Sequence, residues 1–272
     1  MSYRDKYGEW AFVAGGSEGM GGAFCDRMAK EGMNVIVTGR RSQTVEAKCR
    51  QLETEFGVKT KGIQIDLGEL DVLEKVKKET EGLEIGVLVY NAGLASMDLF
   101  TNRDIDYEMY RLNVNVRSLL ALSLWFSKGM AERGKGAIVL MSSGGGIVGS
   151  PYIQTYSATK AYIFTLAEAL WGELQPLGID ALSILPGNTI GQNFKDVDPS
   201  TPGFQTGAQV VEDGLKKLGI DPVVLTGATY DSYKDFFNID VRKGFIIAMK
   251  QQMDAIRATY GSGAETEEIP KE

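Results

Sequence analysis

The 272-residue chain contains no histidine. This excludes Ser-His-Asp and Cys-His nucleophile systems in their usual form, His-ligated zinc or iron sites, and a histidine pH switch. Any proton transfer near neutral pH must fall to another group. Cysteine is scarce too: Cys25 and Cys49 are the only two. Both lie in helix-like segments, which predicts free buried thiols in a reducing cytoplasm rather than a disulfide framework. Positive charge is in deficit, with 29 Lys and Arg against 36 Asp and Glu for a net charge of −7. No basic run exceeds two residues, so neither nucleic acid nor an anionic membrane is expected as a partner. No apolar run approaches the roughly 18 residues of a membrane span, and the polar stretch Met1 to Trp10 does not read as a secretory signal. The expectation is a soluble cytoplasmic protein.

Glycine is in excess instead. There are 33, and they cluster where apolar runs end. Those runs alternate with helical patterns. Strands are predicted at Trp10–Ala14, Asn34–Thr38, Lys59–Asp66, Ile85–Tyr90, Gly136–Ser142, Asp180–Leu185 and Val223–Thr226. Helices are predicted at Gly19–Gly32, Ser42–Phe56, Glu69–Glu81, Ile105–Met130, Gln154–Leu174 and Thr206–Leu218. Regular βαβ alternation implies a mainly parallel sheet with helices on both faces. The expected fold class is α/β: one Rossmann-type doubly wound domain over residues 1–260, with about seven strands in the order 3-2-1-4-5-6-7. A further helix is expected at Val241–Tyr260, with Phe245, Ile246, Met249, Met253 and Ile256 on its apolar face. Residues 261–272, acidic and glycine-containing, read as a disordered tail.

The first strand runs into Ala14-Gly15-Gly16-Ser17-Glu18-Gly19-Met20-Gly21, and a helix starts at once. Such a turn lets the backbone approach a pyrophosphate, which the helix N-terminus then attracts through free N–H groups and its dipole. A tight packing turn is the alternative. About 20 residues on, an NAD site places a carboxylate for the ribose 2′-hydroxyl. Here the second strand ends Thr38-Gly39-Arg40-Arg41, with two guanidiniums and no carboxylate. We read a 2′-phosphate, hence NADP (NADPH). A solvated basic pair is the alternative, and Glu18 brings an opposing charge close by.

Tyr156 and Lys160 are four residues apart in a predicted helix, which puts them on one face. A cation beside a phenol favours the phenolate, so the pair can do the proton work of an absent histidine. The spacing alone is weak, since it recurs at Tyr230 and Lys234. Only the first pair follows a strand that ends in hydroxyls, Ser142-Ser143, where α/β sheets place their sites.

Taken in order, these pieces resemble the short-chain dehydrogenase/reductase family over roughly residues 8 to 226. The matching features are Gly15 to Gly21, Asp66, Asn91-Ala92-Gly93, Asn115, Ser143, Tyr156, Lys160 and Pro186-Gly187. The resemblance implies Tyr156 as general acid/base, Ser143 as the group holding the carbonyl, and Lys160 on the nicotinamide ribose, lowering the tyrosine. It implies Asn115 as the holder of a relay water. The cofactor would be bound by Gly15, Ser17, Gly19, Met20, Gly21, Arg40, Arg41, Asp66, Leu67, Asn91, Ala92, Gly93, Pro186, Gly187 and Thr189. No metal is implied. Asp66 is also placed to cap the next helix, Asn115 to be a core amide, and Ser143 to be a loop hydroxyl. Three departures stand out: Ala14 where the family has a hydroxyl, Tyr90 where many members have a second asparagine, and an altered turn at Thr189-Ile190-Gly191.

Substrate contacts are expected from loops beyond the strand ends, including one at about 188–206. They offer Leu94, Met97, Leu99, Ile147, Tyr152, Ile153, Phe194 and Phe204, a set suited to a bulky hydrophobic carbonyl or alcohol. Segments such as Lys6 to Trp10 and Gly39-Arg40-Arg41 resemble the bile-acid hydroxysteroid dehydrogenase branch. Phe56 to Lys61 and Gly82 to Val89 resemble the branch of 17-beta-hydroxysteroid dehydrogenases and long-chain 3-oxoacyl reductases. A general ketone or 3-oxoacyl reductase, or a non-catalytic dinucleotide-binding regulator, are the other readings. Helices around Tyr110 to Phe126 and Tyr156 to Leu174 look apolar nearly all round, which predicts a homodimer or homotetramer.

Overall fold

Four of the strands are short, mostly aliphatic runs buried along their whole length, and that pattern needs cover on both faces. The computed structural model describes residues 1–191, 197–198, 200–233 and 237–260. In chain order the elements are α1 (Tyr3–Tyr7), β1 (Trp10–Ala14), α2 (Gly19–Lys30), β2 (Asn34–Gly39), α3 (Ser42–Phe56), β3 (Thr60–Gln64), α4 (Val72–Glu79) and β4 (Ile85–Tyr90). Then come α5 (Ile105–Leu112), α6 (Ser118–Arg133), β5 (Gly136–Met141), α7 (Gln154–Leu174), β6 (Ile179–Pro186), β7 (Asn188–Thr189) and β8 (Phe204–Gln205). The last are α8 (Gly207–Leu215), β9 (Val223–Thr226), α9 (Ala228–Tyr233) and α10 (Ile239–Tyr260).

Seven strands form one parallel sheet in the order β3-β2-β1-β4-β5-β6-β9. The expected architecture and order hold. The seventh strand of the sheet is β9 because β7 and β8 pair only with each other. Side chains alternate across the sheet as a period of two requires. Val13, Val37, Val89 and Val139 face α2, α3 and α8. Phe12, Ile36, Leu88 and Ile138 face α4, α6 and α7. A third cluster, with Phe164, Leu185 and Phe237, packs the last strands against α7 and the C-terminal region. Both cysteines are free and buried.

Five predicted elements are longer than the observed ones: α2, β3, α4, β5 and α8 each lose residues at their ends. Element ends fray and carry little periodic signal. The predicted single helix Ile105–Met130 is two helices joined by a π turn at Asn113–Arg117. Its cause lies outside the helix: Tyr90 donates its hydroxyl to the Val114 carbonyl (2.6 Å). A side chain reaching into the hydrogen-bond ladder is a known origin of such bulges. Helices α1 and α9 are too short to show in periodicity, and α10 starts two residues before its predicted limit. It is fastened to α7 by a bidentate ion pair between Arg242 and Glu168 (Nη2–Oε2 2.7 Å), and Ile246 lies over Gly172. Phe194, Lys234 and residues 261–272 lie outside the described residues, as do the side chains of Phe245, Met249, Met253 and Ile256. Among the described residues no helix is long and apolar enough to cross a membrane.

Candidate active site

The strand order reverses between β1 and β4, and a crevice opens there beyond the carboxyl ends of the strands. The glycine loop enters it from β1. Gly15 sits at φ 75, and a Cβ there would meet the backbone of Ala92 (3.1 Å). A Cβ at Gly21 would overlap the Gly15 carbonyl, so the loop closes only with glycine at that position. The hydroxyl that Ala14 lacks comes from the next strand: Thr38 Oγ1 accepts from Gly15 N (3.1 Å) and donates to the Val13 carbonyl (3.0 Å). Residue spacing could not reveal that substitution, because Thr38 is 23 positions away from Gly15.

Helix α2 opens with Glu18 at its N-cap, and Glu18 makes no side-chain cap bond. Its carboxylate turns instead to Arg41. The first-turn N–H groups are therefore left without a side-chain acceptor, and the expected conflict between Glu18 and an anion is removed by an ion pair. Ser17 lies against Gly39, whose Cβ would be 2.9 Å from Ser17 Oγ. Arg40 is exposed and lines a cleft of about 250 Å³ with Gln64, Ile65, Asp66, Glu69 and Lys75. Asp66 accepts from Tyr110 Oη (2.8 Å) and from Gly68 N (2.8 Å). It does not cap α4, whose N-cap is Asp71. Tyr110, which sequence reasoning missed, is held above its usual pKa by burial and by Asp66, against the opposing pull of the Arg40 guanidinium. Leu67 is buried, and its carbonyl accepts from Ser118 Oγ (2.7 Å).

From β4, Asn91 and Ala92 both donate backbone N–H groups to the Ala14 carbonyl (3.1 and 3.0 Å). Asn91 Nδ2 donates to the Gly15 carbonyl (3.2 Å), while its buried Oδ1 has no partner. A Cβ at Gly93 would lie 3.2 Å from Lys160 Nζ and 3.7 Å from Asn115 Oδ1. A glycine cradle, an orphaned buried acceptor and a guanidinium at the far end form a donor set that fits a nicotinamide dinucleotide. On the other flank, a Cβ at Gly187 would crowd Thr229 N (2.9 Å), and Thr189 Oγ1 donates to the Gly187 carbonyl (3.1 Å).

The chemistry-bearing residues meet where β5 ends and α7 begins. The Ser143 hydroxyl stands close enough to the Tyr156 phenol to favour its ionised form. Gly145 lies over both, for a Cβ there would stand 3.6 Å from Ser143 Oγ and 3.7 Å from Tyr156 Cε1. Ser143 is thus part of the constellation, though its Oγ also accepts from Gly145 N (3.2 Å) as a loop hydroxyl would. Lys160 is buried one turn below, 5.6 Å from the Tyr156 ring centre, and donates to the Met141 carbonyl (2.7 Å). The expected lowering of the tyrosine is not found. Burial pushes the Tyr156 phenol above its usual value, and the nearby Ser143 hydroxyl works against that. Burial also pushes the Lys160 ammonium down, to about 8.

Asn115 is completely buried inside the π turn. Its amide accepts from Leu94 N (2.8 Å) and donates to the Leu94 carbonyl (3.0 Å) and Thr159 Oγ1 (3.0 Å). The core-amide alternative therefore describes its side chain. It braces the loop after β4 against α7.

A family model described as short chain dehydrogenase matches residues 9–201. The 7beta-hydroxysteroid dehydrogenase of Mediterraneibacter gnavus is 32% identical over 234 residues, covering 84% of this chain and 89% of that protein. The very-long-chain 3-oxoacyl-CoA reductase of Mus musculus is 31% identical over 219 residues, covering 79% of this chain and 70% of its own. A solved structure from work on 7beta-hydroxysteroid dehydrogenase stereoselectivity superposes with a TM-score of 0.82 at 30% identity, covering 90% of this chain and 99% of that one.

The depressed Lys160 carries a consequence for stability. Its folded pKa, about 8, lies below the ordinary lysine value of 10.5. Between those values the unfolded chain binds the extra proton, so folding is favoured as pH rises through that window. The penalty of burying the charge is fully present below pH 8. Urea unfolding of the parent and of Lys160→Met should therefore show the parent gaining on the variant from pH 8 to pH 10. A constant difference across that range would contradict the assigned protonation.

Proposed function

The chain is an oxidoreductase that belongs to the short-chain dehydrogenase family, and on that premise we propose that it uses NADP to interconvert a secondary alcohol and a ketone on a bulky hydrophobic substrate. A hydroxysteroid or bile acid is the favoured class. The observation that carries this reading is the hydroxyl pair of Tyr156 and Ser143 above a buried lysine, at the open edge of the sheet.

When bound, the dinucleotide supplies or takes up the hydride at its nicotinamide ring. Tyr156 gives its proton to the carbonyl oxygen in reduction and takes one from the hydroxyl in oxidation, so ketone, hydride and proton balance to alcohol. Ser143 donates to the same oxygen and aligns it. Lys160 binds the nicotinamide ribose and, when charged, favours the phenolate. Asn115 keeps the loop at Leu94 in register with α7. The segment Gly15 to Gly21, with Ser17, Gly19 and Met20, would hold the pyrophosphate. Asp66, Leu67, Asn91, Ala92 and Gly93 would line the adenosine half, and Pro186, Gly187 and Thr189 the nicotinamide.

NADP is favoured over NAD because no carboxylate ends β2 and Glu18 of the glycine loop is neutralised by Arg41. Arg40 then faces the cleft as the anion-binding group, with Arg41 as its neighbour. Bulk is favoured because Met97, Leu99, Phe100, Val148 and Tyr152 are exposed on the two loops beside Ser143 and Tyr156. The relatives are named for a hydroxysteroid and for a very-long-chain 3-oxoacyl-CoA.

The protein acts in the cytoplasm as a homodimer or homotetramer. The surface supporting this differs from the expected one. On α7, Ile163, Phe164 and Trp171 are buried within the protomer, and the exposed positions are Ala158, Thr165, Ala169 and Glu173. The surplus apolar face is on α6, where Leu120, Leu124 and Trp125 are exposed about one turn apart.

Tyr156→Phe should lower turnover of hydrophobic ketones at least about 100-fold, followed by NADPH absorbance, while NADPH binding survives. Near-normal turnover in that variant would sink the assignment. Arg40→Asp with Arg41→Ala should cut NADPH efficiency and improve NADH, with Arg40→Asp alone giving the larger part. A parent enzyme that already prefers NADH contradicts the role given to the arginines. Light scattering should find an oligomer at micromolar concentration, and Leu120→Lys with Leu124→Lys should shift it toward monomer; a monomeric parent is the opposing result.

A further inference from the structure

Two loops flank the Ser143–Tyr156 pair: residues 94–104 after β4, and residues 143–153 after β5. A single side chain joins them. Arg103, with only 5% of its side chain exposed, donates within its own loop to Ser96 Oγ (3.0 Å), the Ser96 carbonyl (3.2 Å) and the Asp98 carbonyl (3.4 Å). It also donates across to the Tyr152 carbonyl (2.6 Å) and to Gln154 Oε1 (3.1 Å). Its charge is met by Glu108 (2.8 Å). Two further bonds follow the same path, as Asp98 N donates to the Tyr152 carbonyl (2.9 Å) and the Gln154 side-chain amide to the Asp98 carbonyl (3.4 Å).

Two features of this junction are costly to a surface loop. Tyr152 is the one non-glycine residue at positive φ among the described residues, at 67. A bulky side chain does not adopt that conformation unless its surroundings hold it there. Glu108 is also shared with a second guanidinium, the fully buried Arg111 (3.1 Å), so the cluster carries one surplus positive charge. Buried charge without full compensation is retained only where something else favours it. What the junction controls is the wall of the site. Gln154 opens α7 two residues before Tyr156, and the joined segments bear the exposed Met97, Leu99 and Tyr152.

We propose that Arg103 is a positioning residue that holds both loops as one wall and thereby sets selectivity for bulky over small ketones. This rests on the reading of Ser143 and Tyr156 as the carbonyl site. A small ketone needs only those two hydroxyls. A large one draws binding energy from the wall, and that energy is available for orientation at the reacting carbon.

The test compares the parent with Arg103→Met, Arg103→Lys and Gln154→Met, using a steroid-sized ketone, cyclohexanone and hydrogen exchange. Arg103→Met should raise KM for the large ketone about ten-fold and lower its kcat/KM several-fold more than that for cyclohexanone. Amide exchange should rise in segments 94–104 and 147–153 together. Arg103→Lys, with fewer donors, should restore part of both effects, and Gln154→Met should give a weaker change in the same direction, which serves if Arg103→Met does not fold. Equal losses on the two ketones, or exchange rising in one loop alone, would overturn the proposal. A parent that reduces no ketone refutes the proposed function instead, and the exchange measurement then still decides whether Arg103 joins the loops.

Discussion

The reversal of strand order between β1 and β4 is the constraint from which the rest follows. Parallel strands need crossover helices, and these cover opposite faces on the two sides of the reversal. The crevice left between them is closed at its base by the Ala14 carbonyl, which takes two N–H groups from the end of β4. That contact brings the glycine loop within reach of Asn91 to Gly93. The same sheet edge, one and two strands further on, carries Ser143 and Pro186-Gly187. Gly15, Asn91, Ser143 and Gly187 reach the site because each follows the end of its strand, while Asn115, Tyr156 and Lys160 come from the helices packed beside it.

Chemistry without histidine places the burden on burial. Lys160 is buried and Tyr156 half-buried, and desolvation moves their pKa values apart, the phenol upward and the ammonium down to about 8. Burial thus favours the neutral form of both groups. The stability lost by burying Lys160 is the expected companion of such tuning.

Two of the three departures from the family pattern are accounted for by contacts distant in sequence. Thr38 supplies the hydroxyl that Ala14 lacks. Tyr90 uses its own to hold the π turn next to Asn115. The opposing charge of Glu18 is likewise met from a distance, by Arg41. Packing conserves the interaction while the residue type that provides it changes strand, so a motif read along one segment registers a loss that the folded site does not have.

How much was legible divides along that line. Alternating apolar runs and glycine punctuation determined the strands, their parallel arrangement and the position of the glycine loop, because these depend on local periodicity and backbone freedom. The helical spacing of Tyr156 and Lys160, and the serine at the end of β5, were legible for the same reason. Tertiary structure alone decided the rest. It broke the helix at Asn113, engaged the Asn115 amide, assigned Arg41 to Glu18, brought Tyr110 to Asp66, and joined two loops through Arg103. It also set the direction of the pKa shifts, since charge burial depends on every element packed around a group. Sequence spacing specifies which side of an element a residue occupies; only the folded chain specifies what stands opposite.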